Sequence, residues 1–235
     1  MPEVWDPHGS LHRMLWIGGA QWAGKTTVAD LVAREYGLTA YHYDYHSARG
    51  HQDRLIARRV ARGEPVDGPS PDQVWVEQSP EAMAAGTLAE FPVHFEWTLD
   101  DLRALFTGRP AIAEGWGLRP ELVVPLIDSP RRMVVLVPTE DFRQHQLRTL
   151  PRASALGIPV SDPDRAQANR VARDRLIADD VVRKARHLGI RVIHVDGTRD
   201  AAEVAAGVAE QFGPYLRDSD TESGRDHVQE PSDST

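Results

Sequence analysis

Gly19, Gly24, Lys25 and Thr26 stand at the spacing G-x-x-x-x-G-K-T, without a gap. The glycines let the backbone wrap closely round an oxyanion. Ala20, Gln21, Trp22 and Ala23 lie between them, and the loop's backbone N–H groups can turn inward toward phosphate. The amino end of a following helix, at Thr27, adds its positive dipole end. Lys25 is expected to reach the β- and γ-phosphates, and the Thr26 hydroxyl to ligate Mg²⁺. The stretch is thus a nucleoside triphosphate grip, with ATP the default nucleotide. Alone it does not separate kinases from motor ATPases or GTPases.

Two acids could act beside that grip. Asp44 lies within an aromatic, histidine-rich run, YHYDYH. A carboxylate there can take a proton from an acceptor hydroxyl, or align that hydroxyl on the γ-phosphorus. His42, Tyr43, Tyr45 and His46 could shape the same pocket, and His46 competes for the base role because its ordinary pKa is near neutrality. Glu114 closes an apolar run, AIAE, where an acid is costly unless it meets metal, a base or a hydroxyl. It could hold Mg²⁺ through water or contact the acceptor; both roles stay open. Gly115 behind it lets backbone approach a ligand closely, and Trp116 could stack or pack.

A transferring phosphoryl group spreads charge over three equatorial oxygens, which guanidinium groups stabilise. Arg143 and Arg148 are the candidates for the transfer itself, Arg152 for the nucleotide, and Arg170 and Arg173 for the acceptor side. Thr198, with Arg199, follows the last strand and could border the nucleotide base. Trp75 and Trp97 suit a bulky or ring-bearing acceptor, such as a nucleoside or an antibiotic.

The elements that must hold these residues alternate. Strands are expected at Met14–Ile17, Leu38–Tyr43, Pro110–Ala113, Arg132–Val137 and Arg191–Val195. Helices are expected at 27–36, 52–62, 79–91, 97–105, 120–126, 139–150, 164–187 and 201–212. Thr98 is the expected cap of the helix at 97–105 and Gly108 its stop. Alternation of this kind gives a five-stranded parallel sheet with helices on both faces and all strand C-terminal ends on one edge. The grip, Asp44 and Glu114 lie at such ends and so share a crevice. Residues 1–216 read as one domain, with a helical insertion at about 47–105 and a lid at about 140–175. Residues 217–235 are polar without an apolar face and read as disordered.

At 235 residues the chain can bury one good core. A net charge of -8 gives nucleic acid no general attraction, although Arg54–Arg62 forms a modest basic stripe. The absence of cysteine excludes disulfides and thiolate metal sites. The opening residues do not read as a signal peptide, and the first apolar run is too short for a membrane. The expected setting is cytoplasmic. The expected partner is a small-molecule hydroxyl acceptor, with no nucleic acid and no membrane; a homodimer is compatible.

With these residues placed, the chain resembles the small-molecule and nucleotide kinase branch of P-loop proteins, which includes adenylate, shikimate, gluconate and antibiotic-phosphorylating kinases. The resemblance runs over about 15–216 and is most specific in the phosphate loop. It implies a P-loop NTPase fold, an acceptor-handling acid at Asp44, an acceptor-covering insertion and an arginine-bearing lid. The end of the third strand departs from the pattern, being Glu-Gly where shikimate-type enzymes carry a glycine pair. The alternative is a regulatory NTPase or nucleotide-dependent binding protein, although no N-K-x-D base motif is present.

Overall fold

The computed structural model describes residues 5–105, 107 and 109–216. The helix stop at Gly108 and the polar tail at 217–235 lie outside the described residues.

Five strands form the sheet: β1 Leu15–Gly19, β2 Thr39–His42, β3 Ala111–Glu114, β4 Met133–Pro138 and β5 Arg191–Val195. Their spatial order is β2-β3-β1-β4-β5 and every pairing is parallel. β1, β3 and β4 are buried along their whole length, which explains their unbroken apolar runs. The register puts Ile17 and His42 on either side of Glu114.

α1 (Lys25–Tyr36) packs one face of the sheet through Val28, Ala29, Val32 and Ala33. It shares that face with α9 (Ala201–Leu216), which contributes Val204, Val208 and Phe212. The opposite face is covered by α4 (Pro80–Ala104), α5 (Pro120–Val123) and α8 (Pro163–His187) through Phe95, Leu102, Val123, Ala178 and Val181. Burying both faces places the strand ends carrying Gly19, His42 and Glu114 along one edge.

Four elements differ from the sequence expectation. β2 stops at His42, and Tyr43–His46 is already helical (α2), running through a π-helical turn at Ser47–His51 into α3 (Gln52–Ala61). Asp44 therefore sits in the first turn of a helix. The two helices expected at 79–91 and 97–105 are one: α4 runs through Pro92 without a break. Proline costs a helix one N–H bond, but Phe91, Phe95, Trp97 and Leu102 are all buried along α4 and hold it together. Thr98 is no cap; its hydroxyl donates to the His94 carbonyl inside the helix. The break expected at 151–163 contains a short helix, α7 (Pro151–Ser154), after α6 (Glu140–Thr149). α9 also continues past Pro214 to Leu216.

Candidate active site

The phosphate loop leaves β1 pressed against β4. A Cβ on Gly19 would lie 2.0 Å from the Leu136 carbonyl oxygen, so only glycine fits. The Ala20 N–H donates to that same carbonyl at 2.9 Å and is thereby committed to the sheet rather than to a ligand. Trp22 (φ 66°) and Gly24 (φ 75°) are both left-handed, and Trp22 is the one non-glycine residue with positive φ among the described residues. That bend brings the loop round to α1. Lys25 is buried and its Nζ donates to Ala20 O at 2.8 Å, bridging the base of the loop.

Two cavities meet at this loop. The first, about 200 Å³, is bounded by Gln21, Trp22, Gly24, Lys25, Thr26, Thr27, Asp44 and Arg152. The second, about 290 Å³, runs from Trp22, Ala23 and Gly24 to Phe142, Leu150, Val195 and Val204. Its apolar walls suit a flat ring, and it reaches the size of a small ligand pocket. Arg152 borders both cavities. Thr198 borders neither: its N–H and hydroxyl both donate to Asp196 Oδ1, and Arg199 takes the wall position instead. The turn passes so close that a Cβ on Gly197 would lie 2.8 Å from the Phe142 ring.

The two acids have different surroundings. Asp44 is half-buried on the wall of the first cavity, and its Oδ1 has no hydrogen-bond partner among the described residues. Glu114 is 1% exposed. Its Oε1 accepts from the Thr26 hydroxyl at 3.1 Å and lies 3.0 Å from His42 Nδ1, while Oε2 has no partner among the described residues. Burial raises its pKa, opposed by Lys25 and His42 and reinforced by Asp44.

The raised pKa has a consequence for stability. The folded state binds more protons than the unfolded state between the two pKa values, so stability falls as pH rises through that window. Below the unfolded carboxyl's pKa the penalty is absent. Glu114→Gln is therefore expected to raise the melting temperature at neutral pH. The gain should vanish near pH 4, a result that thermal melts across pH would check.

Of the arginines, Arg152 and Arg170 converge on the loop. Their guanidinium carbons lie 6.0 and 5.7 Å from the centre of the Trp22 ring, and Arg170 also donates to the Ala153 carbonyl. Arg143 is buried on α6 with Nε and Nη1 lacking hydrogen-bond partners among the described residues, and burial lowers its pKa. Its closest acid is Glu140, at 3.8 Å. Arg148 is exposed and borders neither cavity. Arg173 is tied to Asp174 Oδ1 at 2.7 Å and stacks over Trp75 (4.9 Å) and Trp116 (5.5 Å). Asn169 on the same helix donates to the Trp75 carbonyl at 2.9 Å. Trp75 thus fastens the insertion to α8.

The rest of the aromatic run turns inward. Tyr43 is fully buried, and its ring fills the space left by two glycines: a Cβ on Gly115 would lie 2.4 Å from Tyr43 Cβ, and one on Gly117 2.1 Å from Cζ. Gly115 therefore serves the packing of Tyr43. His46 stacks on Tyr41 at 4.4 Å and points Nδ1 toward Asp101, 3.5 Å away. Its pKa is lowered by partial burial, with Asp101 opposing. Trp97 is buried against the His51 and His94 rings with Arg58 over its face at 4.7 Å. His46, its side chain 41% exposed, and the buried Trp97 border neither cavity. His42, read from the sequence as a pocket-shaping ring, holds the more central place beside Glu114; its position directly before Tyr43-Asp44 was the only signal available.

A parallel sheet in this order, with a G-x-x-x-x-G-K-T loop running from β1 onto α1, is the α/β P-loop NTPase fold. The chain is similar to solved structures of shikimate kinase from Aquifex aeolicus (16% identity, 86% of this chain, 96% of that chain, TM-score 0.41). It is similar also to shikimate kinase from Acinetobacter baumannii, solved in complex with shikimate (13%, 88% and 96%, TM-score 0.45). A gluconokinase from Sinorhizobium meliloti is a third such structure (14%, 92% and 98%, TM-score 0.39). At these identities and TM-scores none of them assigns an activity to this chain. No protein-family model and no curated protein matches the sequence. No helix among the described residues is long and apolar enough to cross a membrane.

Proposed function

We propose that this protein is an ATP-dependent kinase that moves the γ-phosphoryl group onto a hydroxyl of a small molecule, in a cytoplasmic setting. One observation carries the reading: the Asp44 carboxylate walls the same cavity as Lys25, Thr26 and Arg152. A triphosphate seated on the loop would bring its terminal phosphate to that end, and an acid there has an acceptor to orient.

In this reading the base lies in the apolar cavity against Phe142 and Leu150, and the phosphates lie along Gln21 to Thr27. Lys25 spreads its charge over the β–γ bridge. Arg152 and Arg170 offer cationic groups at the lip, where charge accumulates in the transition state. The acceptor oxygen forms its bond to the γ-phosphorus as the bond from phosphorus to the β–γ bridging oxygen breaks. The acceptor's proton passes to the Asp44 carboxylate, and ADP leaves with the bridging oxygen.

The residues fit Mg²⁺. Thr26 offers a hydroxyl, and Glu114 Oε2 and Asp44 Oδ1 are buried oxygens without partners among the described residues. Oxygen donors few in number, completed by phosphate and water, are what this cation takes. Thr26 would hold it directly and Glu114 through water; bound there, it would neutralise charge between the β- and γ-phosphates. Asp44 is left for the acceptor, since Glu114 Oε1 is already engaged by Thr26 and His42.

The test is a panel of hydroxyl-bearing metabolites, nucleosides and antibiotics incubated with Mg-ATP and read by the mass gain of one phosphoryl group. At least one acceptor should gain it at a rate well above water. Brisk ATP hydrolysis that no acceptor changes would overturn the reading in favour of a regulatory NTPase.

A further inference from the structure

Four side chains close a chain of contacts behind the phosphate loop. Thr26 and Asp30 lie four residues apart on α1 and so share a face of that helix. His42 and Glu114 are register partners at the ends of neighbouring parallel strands. Thr26 Oγ1 donates to Glu114 Oε1 at 3.1 Å, His42 Nδ1 lies 3.0 Å from the same oxygen, and His42 Nε2 lies 3.4 Å from Asp30 Oδ1. The imidazole thus faces one carboxylate with each ring nitrogen.

We infer that His42 is a positioning residue: held between Asp30 and Glu114, it fixes the Glu114 carboxylate so that Oε1 stays on Thr26 and Oε2 is left to the hydrated cation of a metal–nucleotide. The inference rests on the reading above only in that the site takes a nucleotide with its divalent cation.

The surroundings support a role beyond packing. Glu114 is buried, whereas the side chains of His42 and Asp30 are 34% and 40% exposed, so the imidazole is not needed to fill the core. What it supplies is a partner of fixed direction. Without it, Oε1 keeps only a hydroxyl, a weak partner for a carboxylate out of water. The nearby Lys25 ammonium then becomes the competing partner, and a carboxylate swung to Lys25 is lost to the cation while occupying the group meant for phosphate. Outer-shell groups of this kind commonly change metal affinity by about 10–100-fold.

The experiment is the equilibrium affinity of the full chain for ATP, measured by calorimetry without divalent cation and then across a Mg²⁺ titration. His42→Ala should weaken metal-free ATP binding only modestly, through Lys25, and raise the Mg²⁺ concentration needed for half-maximal tightening by about 10–100-fold. Asp30→Asn, which loosens only the far end, should shift it in the same direction by less. His42→Gln, which keeps one donor for Glu114, should recover part of the loss and serves if the alanine variant folds poorly. In a Glu114→Gln background, removing His42 should add little, because the group it positions is gone. An unchanged Mg²⁺ requirement in His42→Ala and Asp30→Asn would overturn the inference and leave the kinase reading intact. A wild-type protein that binds no ATP would overturn both.

Discussion

Asp44→Asn is expected to lower the rate of phosphoryl transfer by about 10²–10⁴-fold, the range for removing a positioned proton acceptor, while ATP still binds. The asymmetry follows from where the residue sits. Asp44 shares a cavity with the loop, and its Oδ1 has no hydrogen-bond partner among the described residues, so the carboxylate is no strut of the fold. The amide keeps the shape and can still align a hydroxyl, but it cannot accept its proton. If the loss appears in kcat with ATP affinity unchanged, the acid acts on the acceptor. If ATP affinity falls and kcat does not, Asp44 belongs to the nucleotide site. Single-turnover kinetics beside equilibrium ATP binding would separate the two. A variant turning over at the wild-type rate would remove Asp44 from the mechanism.

Lys25→Ala should be nearly as severe, with about a 10²–10³-fold loss in kcat, as for other preorganised charges aimed at a transition state. Unlike Asp44→Asn, it should also weaken ATP binding, and more for ATP than for ADP, because in the proposed reading the lost ammonium would face the γ-phosphate side. Lys25 Nζ also bonds Ala20 O within the loop. Part of the effect would therefore come from a loop less well held. Lys25→Met, which keeps the buried stem, should restore stability without restoring turnover. Comparing ATP and ADP affinities with melting temperatures for the two variants would divide charge from scaffold.

Which parts of this site the sequence reveals depends on the range of the interaction involved. The loop was legible because its chemistry is local: Gly19, Gly24, Lys25 and Thr26 lie on a backbone path only eight residues long. The alternation of strands and helices was legible because apolar period and length are carried within each segment. Continuity of α4 was not. Pro92 and the Thr98-x-x-Asp101 spacing are local stop and start signals, and burial of Phe91, Phe95, Trp97 and Leu102 against distant elements overrides them. The same competition turned the aromatic run after β2 into helix. Its rings then parted company: Tyr43 went beneath Gly115 and Gly117, His46 went to Asp101, and only Asp44 remained on the cavity wall.

By itself, then, the sequence determined a phosphate-gripping loop on a parallel α/β sheet, and it marked two acids at strand ends as worth watching. The tertiary structure alone decided how those acids differ, one half-buried on the cavity wall and the other buried and clamped by Thr26 and His42. It also decided which arginines meet the loop, since Arg152 and Arg170 reach Trp22 while Arg148 does not. The reason is physical. A carboxylate's role is set by how much water it keeps and which charges it faces, and those neighbours come from residues tens of positions away, brought close only when the sheet closes.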